Sequence, residues 1–214
     1  MRDLDLSIYL VTDSTLCDAF GVAATVEAAV RGGATVVQLR EPTASDDDVV
    51  RLGRAVLARL RGTGVPLLID DRVHLVDAVG AQGAHVGQSD LDPLAARALL
   101  GPDRLLGLSV QTLDHVSAAQ ALPAGTIDYL GAGPVWPQTT KPDAAPPLGV
   151  EGLRRIVTAS PWPTVAIGGI SEERVPEVRR AGAAGVAVVS AICGRPDPAD
   201  AARRLRAAWN GAGA

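Results

Sequence analysis

Eight short apolar runs, each followed by a segment with helical spacing, alternate along the 214 residues of the chain. Between the runs, apolar residues recur at i, i+3 and i+4, which is the pattern of an amphipathic helix. Eight strand–helix units in a chain of this length predict an α/β fold, a single (β/α)8 TIM barrel over residues 1–214, with a doubly wound sheet as the alternative. The predicted strands are Ile8–Val11, Thr35–Leu39, Pro66–Ile69, Ala84–Val86, Leu105–Ser109, Ile127–Leu130, Thr164–Ile167 and Gly185–Val189.

The ends of the predicted helices fit this alternation. Ser45 is suited to cap the second helix, and the three aspartates after it complement the positive end of the helix dipole. Three helices end in a glycine/alanine turn that leads into a strand, at Gly32–Ala34, Gly80–Ala84 and Ala181–Gly185. Glycine suits the left-handed turn after a helix, and small residues let helix and strand pack closely.

Composition and charge argue against several classes of protein. A net charge of -4 gives no basic face for nucleic acid, and no apolar run reaches the length that spans a membrane. The first residues contain no apolar signal core, so we expect a cytoplasmic protein in which Cys17 and Cys193 are free thiols. The sequence leaves the oligomeric state open, a homo-oligomer included.

Polar residues that directly follow the strands form the candidate site, because the active site of such a barrel lies at the carboxyl ends of its strands. Asp71 and Asp90 follow neighbouring strands, and two carboxylates with water and phosphate oxygens are a usual arrangement for Mg²⁺. Helix N-caps are the alternative for each aspartate. Arg40 and Lys141 would face the same anion as the metal, with surface ion pairs as their alternative.

A second anion site is expected across the mouth of the barrel. Gly168 and Gly169 follow the seventh strand and Ser190 follows the eighth, which matches the common phosphate site of these barrels. A tight turn without a ligand is the alternative. The two sites together suit a diphosphate held with metal and a monophosphate held without it.

The stretch Asp128–Gly149 is a long segment that, after its first residues, has neither helical nor strand periodicity. Such a segment in a compact domain is usually functional or disordered. It carries Thr139, Thr140 and Lys141, which are suitable donors to phosphate oxygens, whereas a solvated surface loop is the alternative. His85 lies inside a predicted strand, where we expect a hydrogen-bonded structural role.

A set of short motifs covers nearly the whole chain. They are Gln38-Leu39-Arg40, Asp71-Arg72-Val73, His85-Val86-Gly87-Gln88-Ser89-Asp90, Gly107-Leu108-Ser109, Gly133-Pro134-Val135, Thr140-Lys141, Ala166-Ile167-Gly168-Gly169-Ile170 and Val189-Ser190-Ala191-Ile192. In this order and spacing they resemble the thiamine phosphate synthase (thiamine-phosphate pyrophosphorylase) family. The resemblance implies a (β/α)8 transferase that joins hydroxymethylpyrimidine diphosphate to a thiazole phosphate, or its carboxylated tautomer, and releases diphosphate.

The resemblance also implies roles for individual residues. Asp71 and Asp90 would bind the cofactor Mg²⁺, and Arg40, Ser109 and Lys141 would be the catalytic residues. The residues implied in binding the two phosphorylated small molecules are Gln38, Leu39, Arg40, Glu41, Pro42, Asp70, Ser109, Gln138, Thr139, Thr140, Lys141, Gly169, Val189 and Ser190.

Three positions depart from the family pattern. Pro42 stands where the family has a lysine, Asp70 where it has an asparagine, and Gln138 where it has the first threonine of Thr-x-Thr-Lys. If Asp70 is ionised, the pocket is then up to two charges less positive; the alternative is that Asp70 joins the metal shell and restores the balance. Each charge-assisted contact contributes about 1.5–3 kcal/mol, so diphosphate affinity would fall by orders of magnitude.

Two other functions stay open at this point. A thiazole tautomerase of the same superfamily resembles this chain, but it has a catalytic histidine where Pro134 stands. A weakly active paralogue that binds a phosphorylated metabolite would account for the three departures.

Overall fold

The computed structural model describes residues 4–140 and 145–211. Eight parallel strands pair in chain order and close into a barrel, because the last strand pairs with the first through Ile8↔Val186. The (β/α)8 prediction is therefore confirmed, and the doubly wound alternative is wrong. The strands are β1 (Ile8–Val11), β2 (Val36–Leu39), β3 (Leu67–Asp70), β4 (Gly83–Val86), β5 (Leu105–Val110), β6 (Tyr129–Ala132), β7 (Thr164–Ile167) and β8 (Gly185–Val188).

Helices surround this barrel on the outside. Ser45 caps the second helix as predicted, since its hydroxyl oxygen accepts a hydrogen bond from the Asp48 amide at 3.2 Å. Gly80 ends the third helix in the left-handed conformation, with φ of 84°. The helices are α1 (Val22–Arg31), α2 (Asp46–Leu60), α3 (Val76–Val79), α4 (Pro93–Leu100), α5 (Leu113–Gln120), α6 (Gly149–Ala159), α7 (Val175–Arg180) and α8 (Pro198–Asn210), and short 3-10 turns at Val73–Leu75 and Glu172–Arg174 precede α3 and α7.

The apolar side chains form two separate layers. The larger layer lies between the barrel and the helices, where Leu39, Val56 and Ile69 are among its fully buried members. The smaller layer fills the barrel interior and includes Leu68 and Val165. Successive residues of a strand point to opposite faces, so one four-residue strand serves both layers and also delivers polar side chains to the mouth.

Strand β6 begins and ends two residues later than the predicted Ile127–Leu130. The Gly131-Ala132-Gly133 stretch reads as a break in the sequence, yet Gly131 pairs with Ser109 inside the sheet. A Cβ on Gly131 would lie 3.0 Å from Cε1 of His85. This glycine therefore makes room for an imidazole inside the barrel and does not end the strand.

The two cysteines are free, as expected, and both are buried. Although they lie far apart in the chain, they meet where the segments after β1 and β8 come together, and the hydrogen bond from Cys193 lowers the pKa of Cys17. Across residues 4–140 and 145–211, no helix has the length and apolar character needed to cross a membrane.

Candidate active site

A cavity of ≈ 1000 Å³ opens at the carboxyl ends of the strands, and every one of the eight strands or the loop after it contributes to its lining. A groove of ≈ 610 Å³ at the other end of the barrel contains none of the predicted site residues. The predicted residues that line the large cavity are Gln38, Arg40, Pro42, Asp70, Asp71, Asp90, Ser109, Gln138, Thr139, Thr140, Gly169, Val189 and Ser190.

Three of the predicted residues are not in that set. The side chain of Leu39 is buried in the layer between barrel and helices. The carboxylate of Glu41 turns to Ser14, whose hydroxyl donates to it at 2.5 Å, and burial raises the pKa of Glu41. Lys141 lies outside the described residues.

Asp70, one of the departures from the family pattern, faces two of the predicted diphosphate ligands. Its carboxylate accepts a hydrogen bond from Nε2 of Gln38 at 2.8 Å and lies 3.5 Å from Nε of Arg40. The side chains of Arg40 and Asp70 are 21% and 16% exposed, so water screens this ion pair only partly. The charge of Arg40 is therefore already partly compensated before any anion binds.

Asp71 and Asp90 are exposed and line the same cavity. Asp71 adopts a left-handed backbone with φ of 57°, unlike every other non-glycine residue that the structure describes. Such conformations cost on the order of 1–3 kcal/mol and cluster at functional sites. Asp90 accepts a hydrogen bond from the Gly87 amide at 2.7 Å.

The helix-cap alternative for these two aspartates is wrong. Asp92 caps α4, and Arg72 occupies the cap position of the 3-10 turn before α3. Within the described parts of the chain no cluster of three or more His, Cys, Asp or Glu side chains could hold a metal ion. A pair of carboxylates nevertheless fits Mg²⁺, which keeps several waters and uses one or two carboxylates with substrate phosphates.

The loop after β6 lies directly on the two glycines after β7. The amides of Val135 and Trp136 donate to the carbonyls of Ile167 and Gly168 at 2.8 and 3.1 Å. A Cβ on Gly169 would lie 2.6 Å from the Pro137 carbonyl oxygen. The glycines thus hold this loop against the cavity wall, and Thr139 and Thr140 reach the lining from it.

Arg195 is a lining residue that sequence reasoning missed. It is exposed, and its Nε donates to the Ser190 carbonyl at 3.0 Å. It follows β8 by several residues, so a search restricted to the positions directly after each strand passes over it. A cation beside the predicted monophosphate site is the signal that would have found it.

His85 has the hydrogen-bonded role expected of it. Its ring nitrogens contact the hydroxyls of Tyr129 and Ser109 at 2.9 and 2.8 Å, and the residue is 9% exposed. His85 also lines the cavity. Its hydrogen bond to Ser109 therefore connects a buried structural residue to a residue of the candidate site.

The mouth of this closed (β/α)8 barrel brings together exposed carboxylates, arginines, hydroxyls and glycine-rich turns. These features are typical of barrel enzymes that bind phosphorylated small molecules at the mouth. The family model described as thiamine monophosphate synthase matches residues 8–192. This chain belongs to that family, as its motifs predicted.

Individual relatives agree with this assignment. The thiamine-phosphate synthase of Azorhizobium caulinodans is 48% identical over 202 residues, which cover 94% of each chain. The one from Xanthobacter autotrophicus is 47% identical over 207 residues, or 97% of each chain. The solved structure of a thiamine phosphate pyrophosphorylase from Pyrococcus furiosus superposes with a TM-score of 0.85 at 33% identity, over 96% of each chain.

Proposed function

We propose that this protein is a thiamine-phosphate synthase, a transferase that joins hydroxymethylpyrimidine diphosphate to a thiazole phosphate and releases diphosphate. The observation that carries this proposal is one cavity lined by Asp71, Asp90 and Arg40 as well as by Gly169 and Ser190. The similarity to named synthases over almost the whole chain supports it. Neither the tautomerase nor the weakly active paralogue has such support.

Asp71 and Asp90 would hold Mg²⁺ in this proposal. Both side chains are exposed at the cavity, and a hard divalent cation takes such oxygen ligands together with water and phosphate oxygens. When bound, Mg²⁺ neutralises charge that develops on the leaving diphosphate.

The chain's own residues on this side would hold and orient the pyrimidine diphosphate. Arg40, Gln38 and Ser109 line the cavity beside the two aspartates, and their donors favour the transition state because negative charge grows on the diphosphate as the bond breaks. Lys141 is added to them from the sequence alone. Since an aminopyrimidine stabilises the cation left at its methylene group, no general base is needed.

The thiazole phosphate would bind across the mouth, at Thr140, Gly169, Val189 and Ser190. Its phosphate serves as a handle that holds the thiazole nitrogen in line with the methylene carbon, which lowers the entropic part of the barrier. The two ends of the β6 loop are tied together by a hydrogen bond from the Leu148 amide to the Pro134 carbonyl at 2.8 Å. The described part of this loop lines the cavity with Gln138, Thr139 and Thr140, where it would limit capture of the cation by water.

The cytoplasm is the proposed location, in keeping with a biosynthetic role, and homo-oligomers stay open. The test of the function is an assay of diphosphate release with both substrates and Mg²⁺, with each substrate omitted in turn. Release only when both are present supports the synthase. Turnover of the thiazole phosphate alone would support a tautomerase, and binding without turnover a paralogue.

A further inference from the structure

Four side chains form one continuous hydrogen-bond chain through the barrel interior. The hydroxyls of Tyr9 and Tyr129 are 2.8 Å apart, and the Tyr129 hydroxyl is 2.9 Å from Nδ1 of His85. Nε2 of His85 is 2.8 Å from Oγ of Ser109. The chain therefore runs from the buried interior up to a hydroxyl at the cavity.

Two glycines, which have no side chains of their own, leave the space that the hydrogen-bonded side chains occupy inside the barrel. A Cβ on Gly107 would lie 2.2 Å from Cζ of Tyr129 and 2.4 Å from Nδ1 of His85, and one on Gly131 would lie 3.0 Å from the His85 ring. Gln88 fixes the cavity end, because its Nε2 donates to the Ser109 carbonyl at 2.6 Å. The geometry of the chain is thus set by the strands themselves.

The positions of the protons give this hydrogen-bond chain a direction of donation, from Tyr9 towards Ser109. Tyr9 and Tyr129 are 1% and 0% exposed, and burial raises the pKa of both phenols, so each keeps its proton. Among the residues that the structure describes, the Tyr9 hydroxyl has a hydrogen-bond partner in Tyr129 alone. Tyr9 borders the cavity but is only 1% exposed, so we assign its proton to Tyr129, because a buried donor without an acceptor is costly.

The remaining protons follow from this first one. Tyr129 then donates its own proton to Nδ1 of His85, which leaves the proton of a neutral imidazole on Nε2. That Nε2–H donates to Oγ of Ser109. Any arrangement with a proton on Nδ1 leaves a phenol proton of Tyr9 or Tyr129 without an acceptor among residues 4–140 and 145–211.

We propose that His85 is a positioning residue, held by Tyr129 in its Nε2–H form, which turns the Ser109 proton toward the cavity and so makes Ser109 a donor to an anionic oxygen of the ligand. The Ser109 hydroxyl then recognises a diphosphate-type oxygen and discriminates against ligand groups that would donate to it. The identity of that ligand rests on the proposed function, but the direction of the chain does not.

The direction is tested on the ligand-free protein. Imidazole ¹⁵N shifts of the three histidines are measured at neutral pH, and His85→Gln identifies the signals of His85. We expect a protonated Nε2 and an unprotonated Nδ1. A proton on Nδ1, or on both nitrogens, overturns the proposal whatever reaction the protein catalyses.

Two matched variants test the consequence, since each removes one buried phenol hydroxyl. Tyr129→Phe removes the group that holds the His85 form, so we expect its ¹⁵N shifts to change and the Kd for inorganic diphosphate with Mg²⁺ to rise about tenfold, as in Ser109→Ala. Tyr9→Phe leaves Nδ1 of His85 as the one acceptor for the Tyr129 proton among the described residues, so the direction stays the same and we expect both readouts to stay near wild type. Equal losses in the two variants would indicate a purely structural effect and overturn the proposal. Absence of diphosphate release by the wild type, with the expected ¹⁵N shifts, would count against the proposed function alone.

Discussion

The carboxylate of Asp70 lies beside the Arg40 guanidinium, which is also a predicted contact of the anion that binds at the mouth of the barrel. Its carboxylate lies 3.5 Å from the guanidinium and also accepts from Gln38 at 2.8 Å. A ligand phosphate must therefore compete with this carboxylate for the same donors. This contact explains how the barrel accommodates an aspartate where the family has an asparagine.

Asp70→Asn is expected to tighten the binding of inorganic diphosphate in the presence of Mg²⁺. Asparagine keeps an oxygen for Gln38 but removes the negative charge beside Arg40. A charge contact of this kind is worth on the order of 1–3 kcal/mol, so Kd should fall about tenfold in a calorimetric titration.

Asp77→Asn is the control for this charge change, because Asp77 is 75% exposed and pairs with Arg104 near the start of β5. Its effect on diphosphate affinity should be negligible. Weaker binding by Asp70→Asn would instead mean that the carboxylate takes part in holding the metal, the other alternative that the sequence left open.

For individual residues, the sequence predicts which side chains lie at the mouth of the barrel but not which residues those side chains contact. Positions such as Gln38 and Ser109 follow from strand order, since alternate residues of a strand face the interior. The pairing of Asp70 with Arg40 depends on the register between β2 and β3, where Leu39 lies opposite Ile69. A single sequence does not fix that register.

Between elements, Arg72 ties the loop after β2 to the loop after β3. Its guanidinium donates to the carbonyls of Glu41 and Pro42 at 3.2 and 3.3 Å and pairs with Asp46 at 3.0 Å. Arg40, directly before that loop, depends on its course. The Asp-Arg-Val motif thus has a local role beyond its aspartate.

Arg72→Met is expected to raise the KM for the pyrimidine diphosphate about three- to tenfold with little loss of stability. The β2 loop loses both carbonyl contacts, whereas a partly exposed ion pair contributes only about 0–1 kcal/mol to folding. Steady-state kinetics and a thermal melt measure the two effects. The control is Arg59→Met, which removes the 2.8 Å ion pair with Glu27 on the outer helices and should leave KM unchanged. A similar KM in both variants would refute the tethering role.

Glycines inside the strands are where sequence and structure differ most. From sequence, Gly131 indicates a turn, because glycine is depleted in strands and common in turns. In the barrel the missing side chain of Gly131, like that of Gly107, leaves space for His85 and Tyr129. The reason for such a glycine is a side chain that is distant in the sequence but adjacent in the fold. The end of β6 therefore could not be placed from the sequence.

Gly107→Ala is expected to destabilise the protein by about 1–3 kcal/mol or more, because the added methyl group would overlap Tyr129 and His85. Denaturant unfolding measures the change. The control, Gly62→Ala, adds a methyl group with nothing within 4 Å, at a left-handed φ of 78°, and should cost about 1 kcal/mol. If Gly107→Ala were no less stable than Gly62→Ala, the barrel interior would accommodate the added methyl group and the prediction would be wrong.

For the whole molecule, closure of the barrel is what brings the two predicted anion sites together. The side with Asp71 and Asp90 comes from β3 and β4, and the side with Gly169 and Ser190 from β7 and β8. The eight-unit alternation predicts this meeting because a closed barrel gathers all strand ends into one mouth. A ligand that bridges strand ends should therefore stabilise the fold as a unit.

Diphosphate and Mg²⁺ together are expected to raise the melting temperature more than either does alone. At a concentration of 100 times Kd, a ligand that binds only the folded state adds about 2.7 kcal/mol, or roughly 5–10 °C for a chain of this size. Asp71→Asn should lose the increment that depends on Mg²⁺. Asparagine suits this position because it tolerates the left-handed backbone, with φ of 57°, that alanine would strain. Asp77→Asn, with the same charge change at the other end of the barrel, should keep the full increment. If Asp71→Asn kept it too, the metal would have to bind elsewhere, and the division of the mouth into a metal side and a metal-free side would fail with it.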